Sequence, residues 1–370
     1  MPVPLDEYPI HQAPLSIAHM DTSDRNGYDR CYWNAHDRTG DIFLVTGLGL
    51  YPNLGVIDAF AAVRTGDRQF SIRTSDALGD DRMKQEVGPY RIEVIEPLHK
   101  LRLICDADDH GIGFDMTWEG SFPALDETRH VWRRNGRITL DAQRFAQVGT
   151  WSGELRVDGA RHEVTPDTWL GTRDRSWGIR PVGEAEPPGR AGDEPIEGFW
   201  WTYIPMRFED FALIVIIQEE ADGTRVMNDV RRVFPASSGR PPEQLGWPEV
   251  DIHYQSGTRI PTGATVYLQA RGRKELTLEV ESLGYVPLNL GTGYGGDPAW
   301  THGEWRGHGL VEGAQYDFSD PAVVGGLAFG LIDHVGRATL EGQEGWGLFE
   351  HGCFGRHEPS GFTDFMSVAP

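Results

Sequence analysis

One stretch of twelve residues concentrates groups able to move a proton or hold a charge: Trp169-Leu170-Gly171-Thr172-Arg173-Asp174-Arg175-Ser176-Trp177-Gly178-Ile179-Arg180. It carries one carboxylate, three arginines and two tryptophans. In an extended chain, alternation sends Arg173, Arg175 and Trp177 to one face and Asp174 and Ser176 to the other. A carboxylate between two arginines normally has a depressed pKa, which suits an ion-paired structural corner better than an acid.

Further acids and histidines stand among aromatics. Glu304 lies between His302 and Trp305, with His308 close behind; Asp317 sits between Tyr316 and Phe318; Glu350 and His351 follow Trp346 and Phe349. Such mixtures suit a largely apolar pocket with few polar groups. Their concentration predicts a pocket in the C-terminal third, with Glu304 and His308 as further catalytic candidates. Trp305, Tyr316, Asp317 and His351 are then binding candidates. Taken singly, each is also what a strand with one solvent-facing side carries.

Familiar cofactor signatures are missing. Gly291-Thr292-Gly293-Tyr294-Gly295-Gly296 fits G-x-G-x-x-G, but Asp297-Pro298 follows it. No helix N-terminus is expected there to hold a pyrophosphate, so the run reads as a glycine-rich loop. There is no Walker A, no G-x-S-x-G elbow and no H-E-x-x-H. His351, Cys353 and His357 are metal-binding residue types, yet they supply only one loop's worth of ligands, which His302 and His308 could join only after folding. No metal and no organic cofactor is expected.

The elements that position these groups are strands. The 370 residues include 46 Gly, 24 Pro and 12 Trp, with no collagen period and no low-complexity run. Turn signals separate short β-branched or aromatic runs: Thr65-Gly66-Asp67 between Phe60–Val63 and Phe70–Ile72, Asp108-Asp109-His110-Gly111 between Leu101–Cys105 and Ile112–Trp118. Asn135-Gly136 and Asp158-Gly159 are the strongest hairpin signals. Only Leu125–Arg134 and Asp141–Val148 are candidates for helix or irregular structure. The expected class is all-β, antiparallel sandwiches or barrels. A Pro/Gly-rich acidic run from Pro181 to Pro195, without aromatics, predicts a linker at 183–197 between β-rich units at 1–182 and 198–370.

The formal net charge of −22 argues against nucleic acid and anionic membrane surfaces as partners, since both need clustered Lys and Arg. No apolar run approaches a membrane span. Three scattered cysteines, Cys31, Cys105 and Cys353, make no disulfide framework, and the N-terminus lacks the basic and apolar regions of a signal peptide. A cytoplasmic protein is expected, with a homodimer left open.

The run Asp174-Arg175-Ser176-Trp177 resembles the Asp-Arg-x-Trp motif of the carotenoid 1,2-hydratase/AttH-like family. The layout that follows is similar too: the linker, Gly198-Phe199-Trp200-Trp201-Thr202-Tyr203, a turn at Glu209-Asp210, Leu213–Gln218 and Ala221-Asp222-Gly223. This resemblance spans Trp169 to Gly223, and the N-terminal segment Asp6–His11 is similar to that of an actinobacterial-type branch. It implies two lipocalin-like β-barrel domains in tandem. It further implies cofactor-independent chemistry on an apolar isoprenoid-like or polycyclic small molecule: hydration or dehydration, isomerisation or cyclisation. A hydrophobic-ligand carrier is the alternative. By motif position Asp174 is the acid, with Arg175 orienting it or pairing with it. Trp177, Trp200, Trp201 and Tyr203 are candidate cavity walls and cation-stabilising faces.

Overall fold

The computed structural model of the chain describes residues 14–134, 136–185, 196–327 and 330–370. Among these, the first half supplies β1 (Gly27–His36), β2 (Ile42–Tyr51), β3 (Val56–Thr65), β4 (Arg68–Ala77), β5 (Glu86–Val87), β6 (Tyr90–Glu96), β7 (Lys100–Ala107), β8 (Ile112–Gly120), β9 (Leu125–Asp126), β10 (His130–Arg134), β11 (Arg137–Val157), β12 (Ala160–Val164) and β13 (Leu170–Ile179). The second supplies β14 (Gly198–Arg207), β15 (Ala212–Glu220), β16 (Arg225–Val233), β17 (Glu243–Gln244), β18 (Glu249–Tyr254), β19 (Pro261–Leu268), β20 (Leu276–Pro287), β21 (Leu310–Asp317), β22 (Ile332–Leu340) and β23 (Gln343–Gly355), with one short helix at Pro321–Gly325. The protein is all-β, as its turn-rich sequence predicts. Segment Asp6–His11, most of the expected linker and Asn135 of the Asn135-Gly136 turn lie outside the described residues.

The hairpin signals act where they stand. Asp158 and Gly159 both take positive φ (49° and 79°) in the two-residue turn from β11 to β12, the backbone that Asp-Gly favours. Two curled antiparallel sheets result. The first runs β21-β4-β3-β2-β1-β13-β11-β8-β7-β6-β5, with β9, β10 and β12 also on β11; the second runs β17-β16-β15-β14-β23-β22-β20-β19-β18. Strand β21 crosses the boundary drawn from the sequence: it follows the linker but pairs with β4.

Three apolar layers hold the sheets. One fills the curl of the first sheet, with Trp33, Leu48, Phe114 and Trp151; one fills the second, with Trp200, Ile204, Val266 and Phe349. The third lies between the sheets, where Tyr32, Val45, Phe60 and Ala146 meet Trp201, Ile214, Val335 and Leu348. Each large aliphatic side chain covered there contributes roughly 1.5–3 kcal/mol. Strands β1, β2, β14 and β23 are therefore covered on both faces, so alternation assigns neighbouring residues to different interiors rather than to core and solvent.

Of the two candidates for helix or irregular structure, neither is helical: one is two strands around an irregular Glu127–Arg129, the other lies within a strand. Leu125–Arg134 forms β9 and β10, and Asp141–Val148 lies within the 21-residue β11. Asp141, Arg144 and Gln147 fall three apart, which mimics helical spacing. In the structure they are tied on opposite faces: Asp141 to Arg129, Arg144 to Glu127, and Gln147 to Arg173 and the carbonyls of Leu98 and Phe122.

Candidate active site between the two sheets

A cavity of about 180 Å³ opens in the layer between the sheets. Its walls follow from strand alternation. On β13, Asp174 and Ser176 face it; on β14, Phe199, Trp201 and Tyr203; on β23, Leu348 and Glu350; on β11, Ala142 and Arg144. The pocket expected in the C-terminal third is thus shared by both halves.

Asp174 keeps part of its surface open to this cavity, although protein encloses it all round. Burial pushes its pKa up to about 7; Arg144 opposes this, while Glu127 and Glu350 add to it. Among the described residues the carboxyl has no hydrogen-bonded or ion-paired partner. The depression that flanking arginines predict does not occur, because β13 turns them away. Arg175 Nε pairs with Asp29 Oδ1 at 3.1 Å and Arg173 Nε bonds Gln147 at 2.8 Å, both on the opposite face.

Two further carboxylate groups frame the cavity. Glu127 receives Arg144 Nε at 2.5 Å, and that guanidinium lies 5.2 Å from the Tyr203 ring and 5.7 Å from Trp201. Glu350 accepts the Trp201 indole N–H. Its cross-strand neighbour Asp333 is fully buried and accepts the Tyr32 hydroxyl at 2.5 Å. Burial and the adjacent Glu350 push the Asp333 pKa well up, and Glu350 is raised too, chiefly by burial. Asp333 and Glu350 are direct cross-strand neighbours, so a negative charge on one disfavours a negative charge on the other.

Beside these acids stands an aromatic wall. Phe199 and Trp201 stack at 6.5 Å, Trp132 tilts on Phe199 at 6.2 Å, and His130 stacks on Trp201 at 6.0 Å. Burial lowers the His130 pKa to about 4, so its imidazole is neutral. The site combines a partnerless carboxyl, two adjacent carboxyls with raised pKa, an arginine–glutamate pair and flat apolar faces.

Of the residues singled out from the sequence, Asp174, Trp201 and Tyr203 meet at this cavity. Trp177 lies on the Arg175 side of β13, 6.5 Å from Phe145. Trp200 points into the second sheet, between His351 (5.3 Å) and His357 (5.6 Å). His351 is buried there against Thr202 Oγ1 (2.9 Å) and the Tyr254 hydroxyl (2.8 Å), its pKa lowered to about 3 by burial. Glu304, Trp305 and His308 occupy a surface loop outside the cavity: Glu304 accepts the Thr301 N–H, Trp305 is 45% exposed and His308 pairs with Asp76 at 2.9 Å. Tyr316 and Asp317 end the edge strand β21, where Asp317 accepts from Ser319. The histidines and Cys353 considered for a metal are scattered, and no group of three such ligands comes together among the described residues. Sequence reasoning missed Glu127, His130, Trp132 and Arg144, and it chose His351 where its neighbour Glu350 faces the cavity. The alternation Phe199-Trp201-Tyr203 was the signal that could have separated the two faces of β14.

Residues 3–363 match the model of a family of unknown function, DUF8625. No curated protein matches the sequence. Among solved structures, the fold is similar to an AttH-type protein from Nitrosomonas europaea, with TM-score 0.55 and 12% identity over 88% of this chain and 92% of that one. It is also similar to kievitone hydratase from Nectria haematococca, with TM-score 0.50 and 13% identity over 87% and 88%. CghA gives TM-score 0.50 and 12% identity over 88% of each chain. At these identities the likeness is one of fold: tandem curled antiparallel sheets. No helix among the described residues is long and apolar enough to cross a membrane.

Proposed function

We propose, for a chain that belongs to the DUF8625 family, a cofactor-independent acid–base enzyme that hydrates, dehydrates, isomerises or cyclises an apolar isoprenoid-like or polycyclic small molecule. The observation that carries this reading is Asp174, a carboxyl with raised pKa, open to an aromatic cavity and without a protein partner. Kinship with the carotenoid 1,2-hydratase/AttH-like family, and with its actinobacterial-type branch, belongs to the same reading. Support for it comes from the Asp174–Trp177 motif and from the folds of an AttH-type protein and kievitone hydratase. The halves 1–182 and 198–370, joined through 183–197, are on this view the two walls of one site.

The chemistry follows from the positions. Protonated Asp174 gives its proton to one carbon of a trisubstituted alkene, leaving a tertiary cation beside Trp201 and Phe199. Aromatic faces stabilise such a cation by about 0.5–2 kcal/mol each. Water adds to the cation and passes a proton to Glu350, which lines the cavity, or back to Asp174. Where no water is admitted, loss of a neighbouring C–H proton gives an isomer, and attack by a second double bond gives a ring. Two carboxyl environments with different proton occupancy are what acid and base roles require. Arg144, neutralised by Glu127, holds the wall without quenching the acid by direct contact.

The test is turnover against terpenoids, prenylated phenols and steroids by wild type and Asp174→Asn. Product formation that the variant lacks, while it still binds ligand, is the expected result. Tight binding without turnover by either protein would make the chain a carrier, and equal turnover by both would remove Asp174 from the mechanism.

A further inference from the structure

A second cavity, of about 470 Å³, adjoins the first and shares with it Arg30, Tyr294 and Arg180. Its charge is unlike that of the whole molecule. Among its described lining residues, Arg25, Arg30, Arg137 and Arg180 face a single carboxylate residue, Glu184, in a chain of net charge −22. The glycine-rich run that satisfied G-x-G-x-x-G supplies one wall through Gly293, Tyr294 and Gly295. It carries no helix N-terminus; its contribution is the Tyr294 ring.

Arg30 and Arg180 stand where the cavities join. Arg30 is 6% exposed, its guanidinium 4.8 Å from the Tyr294 ring centre, and Arg180 lies 5.5 Å over Tyr28. Among the described residues neither guanidinium has a hydrogen-bonded or ion-paired partner. The buried carboxyl on this side, Asp58, spends its oxygens on the Tyr51 hydroxyl (3.1 Å) and the Gly303 N–H (2.6 Å). Burial, then the nearby Arg30, push the Arg180 pKa down, whereas the surrounding tyrosines and Asp58 raise that of Arg30. Two enclosed, unpaired cations are costly unless an anion joins them. A guanidinium fork is built to grip planar oxyanions in bidentate fashion.

We infer that Arg30 and Arg180 recognise a delocalised oxyanion on the substrate, a conjugated carboxylate or its vinylogous enolate, while the apolar body of the same molecule occupies the aromatic cavity. This rests on the proposed function and sharpens its substrate class to an organic acid. The register puts the Arg30 cation beside the Asp174 acid. Arg30 pairs with Ser176 and Tyr32 with Asp174 across β1 and β13, so Arg30 and Asp174 are diagonal neighbours on one face. The oxyanion site and the acid therefore share one wall of the cavity.

The inference is tested by titrating geranic acid and geraniol, one skeleton with and without the charge, into the full chain at neutral pH. The readout is tryptophan fluorescence, to which Trp132 and Trp201 report from the cavity wall. Wild type is expected to bind the acid at least about tenfold more tightly than the alcohol, as hydrogen bonds to a charged group imply. Arg30→Met/Arg180→Met is expected to lose that preference, shift alcohol binding less than about twofold, and melt no lower than wild type, since it removes unpaired buried charge. If the methionine variant does not fold, Arg30→Lys/Arg180→Lys serves, because it keeps the charge but loses the fork. A reduced preference in it supports the site, and an undiminished one overturns it. Equal binding of acid and alcohol by wild type overturns this inference alone. Failure of wild type to bind either probe overturns the aromatic cavity reading along with it.

Discussion

Asp58 and Asp174 have pKa values raised to about 7, in both cases first by burial. Their surroundings differ. Asp58 is 1% exposed on β3, and its two oxygens take the Tyr51 hydroxyl and the Gly303 N–H, with His302 3.7 Å away. Asp174 borders the cavity and has no such partners. The raised pKa reports only that a carboxyl has left bulk water. What separates a tie in the fold from a candidate acid is a free oxygen with access to a ligand.

The largest effect should come from exchanging the two carboxyls in turn. Asp174→Asn is expected to lower turnover at least about 100-fold, the scale of general acid catalysis, with near-UV circular dichroism unchanged. Asp58→Asn should leave turnover within a few-fold, whereas Asp58→Ala should lose about 2–4 kcal/mol in urea unfolding, because Tyr51 and Gly303 lose their buried acceptor. Equal loss of activity in both asparagine variants would break the distinction.

Titration sharpens it. Asp174 must be protonated to act, so kcat/KM should fall roughly tenfold per pH unit above about pH 7; a flat profile to pH 9 would exclude it as the acid. Both carboxyls bind protons more tightly folded than unfolded, so their contribution to stability is complete below about pH 4 and is lost as pH rises through 7. Asp174→Asn should therefore gain on wild type by on the order of 1–3 kcal/mol at pH 8 and converge with it near pH 4, in paired denaturant titrations.

Trp201→Phe keeps the aromatic face but removes the N–H that Glu350 accepts, and should slow turnover about tenfold with little change in ligand binding. Smallest of all, His308→Asn and Glu304→Gln should stay within about twofold of wild type, since both groups sit in the surface loop and the His308–Asp76 pair is largely solvated.

The sequence carried the strand class and several hairpins, because Asp158-Gly159 and Gly66-Asp67 act locally. It also carried the placement of Asp174 opposite Arg173 and Arg175, since that needs only alternation. It could not say which interior each face meets. In β14 and β23 both faces are apolar and covered, so Trp200 reads like Trp201, and His351 reads as suitable as Glu350. Nor could it bring Glu127 or Arg144 to the site. Both belong to segments whose polar residues are spaced as a helix would space them, and their company at the cavity comes from strands far along the chain, such as β14 and β23.

Strand β21 carries a consequence for biosynthesis. It pairs with β4 in the register Asp317↔Arg68 to Leu310↔Ser75, a separation of more than 230 residues. At about 5–20 residues per second, the ribosome takes on the order of 12–50 s to make the partner of β4. Throughout that interval β4 is an uncovered edge, with a row of backbone donors and acceptors that another nascent chain could capture. The first sheet thus cannot mature as an independent early product. Its last seam closes only when most of the second half has emerged, so premature termination before residue 310 would leave an aggregation-prone half rather than a smaller working protein.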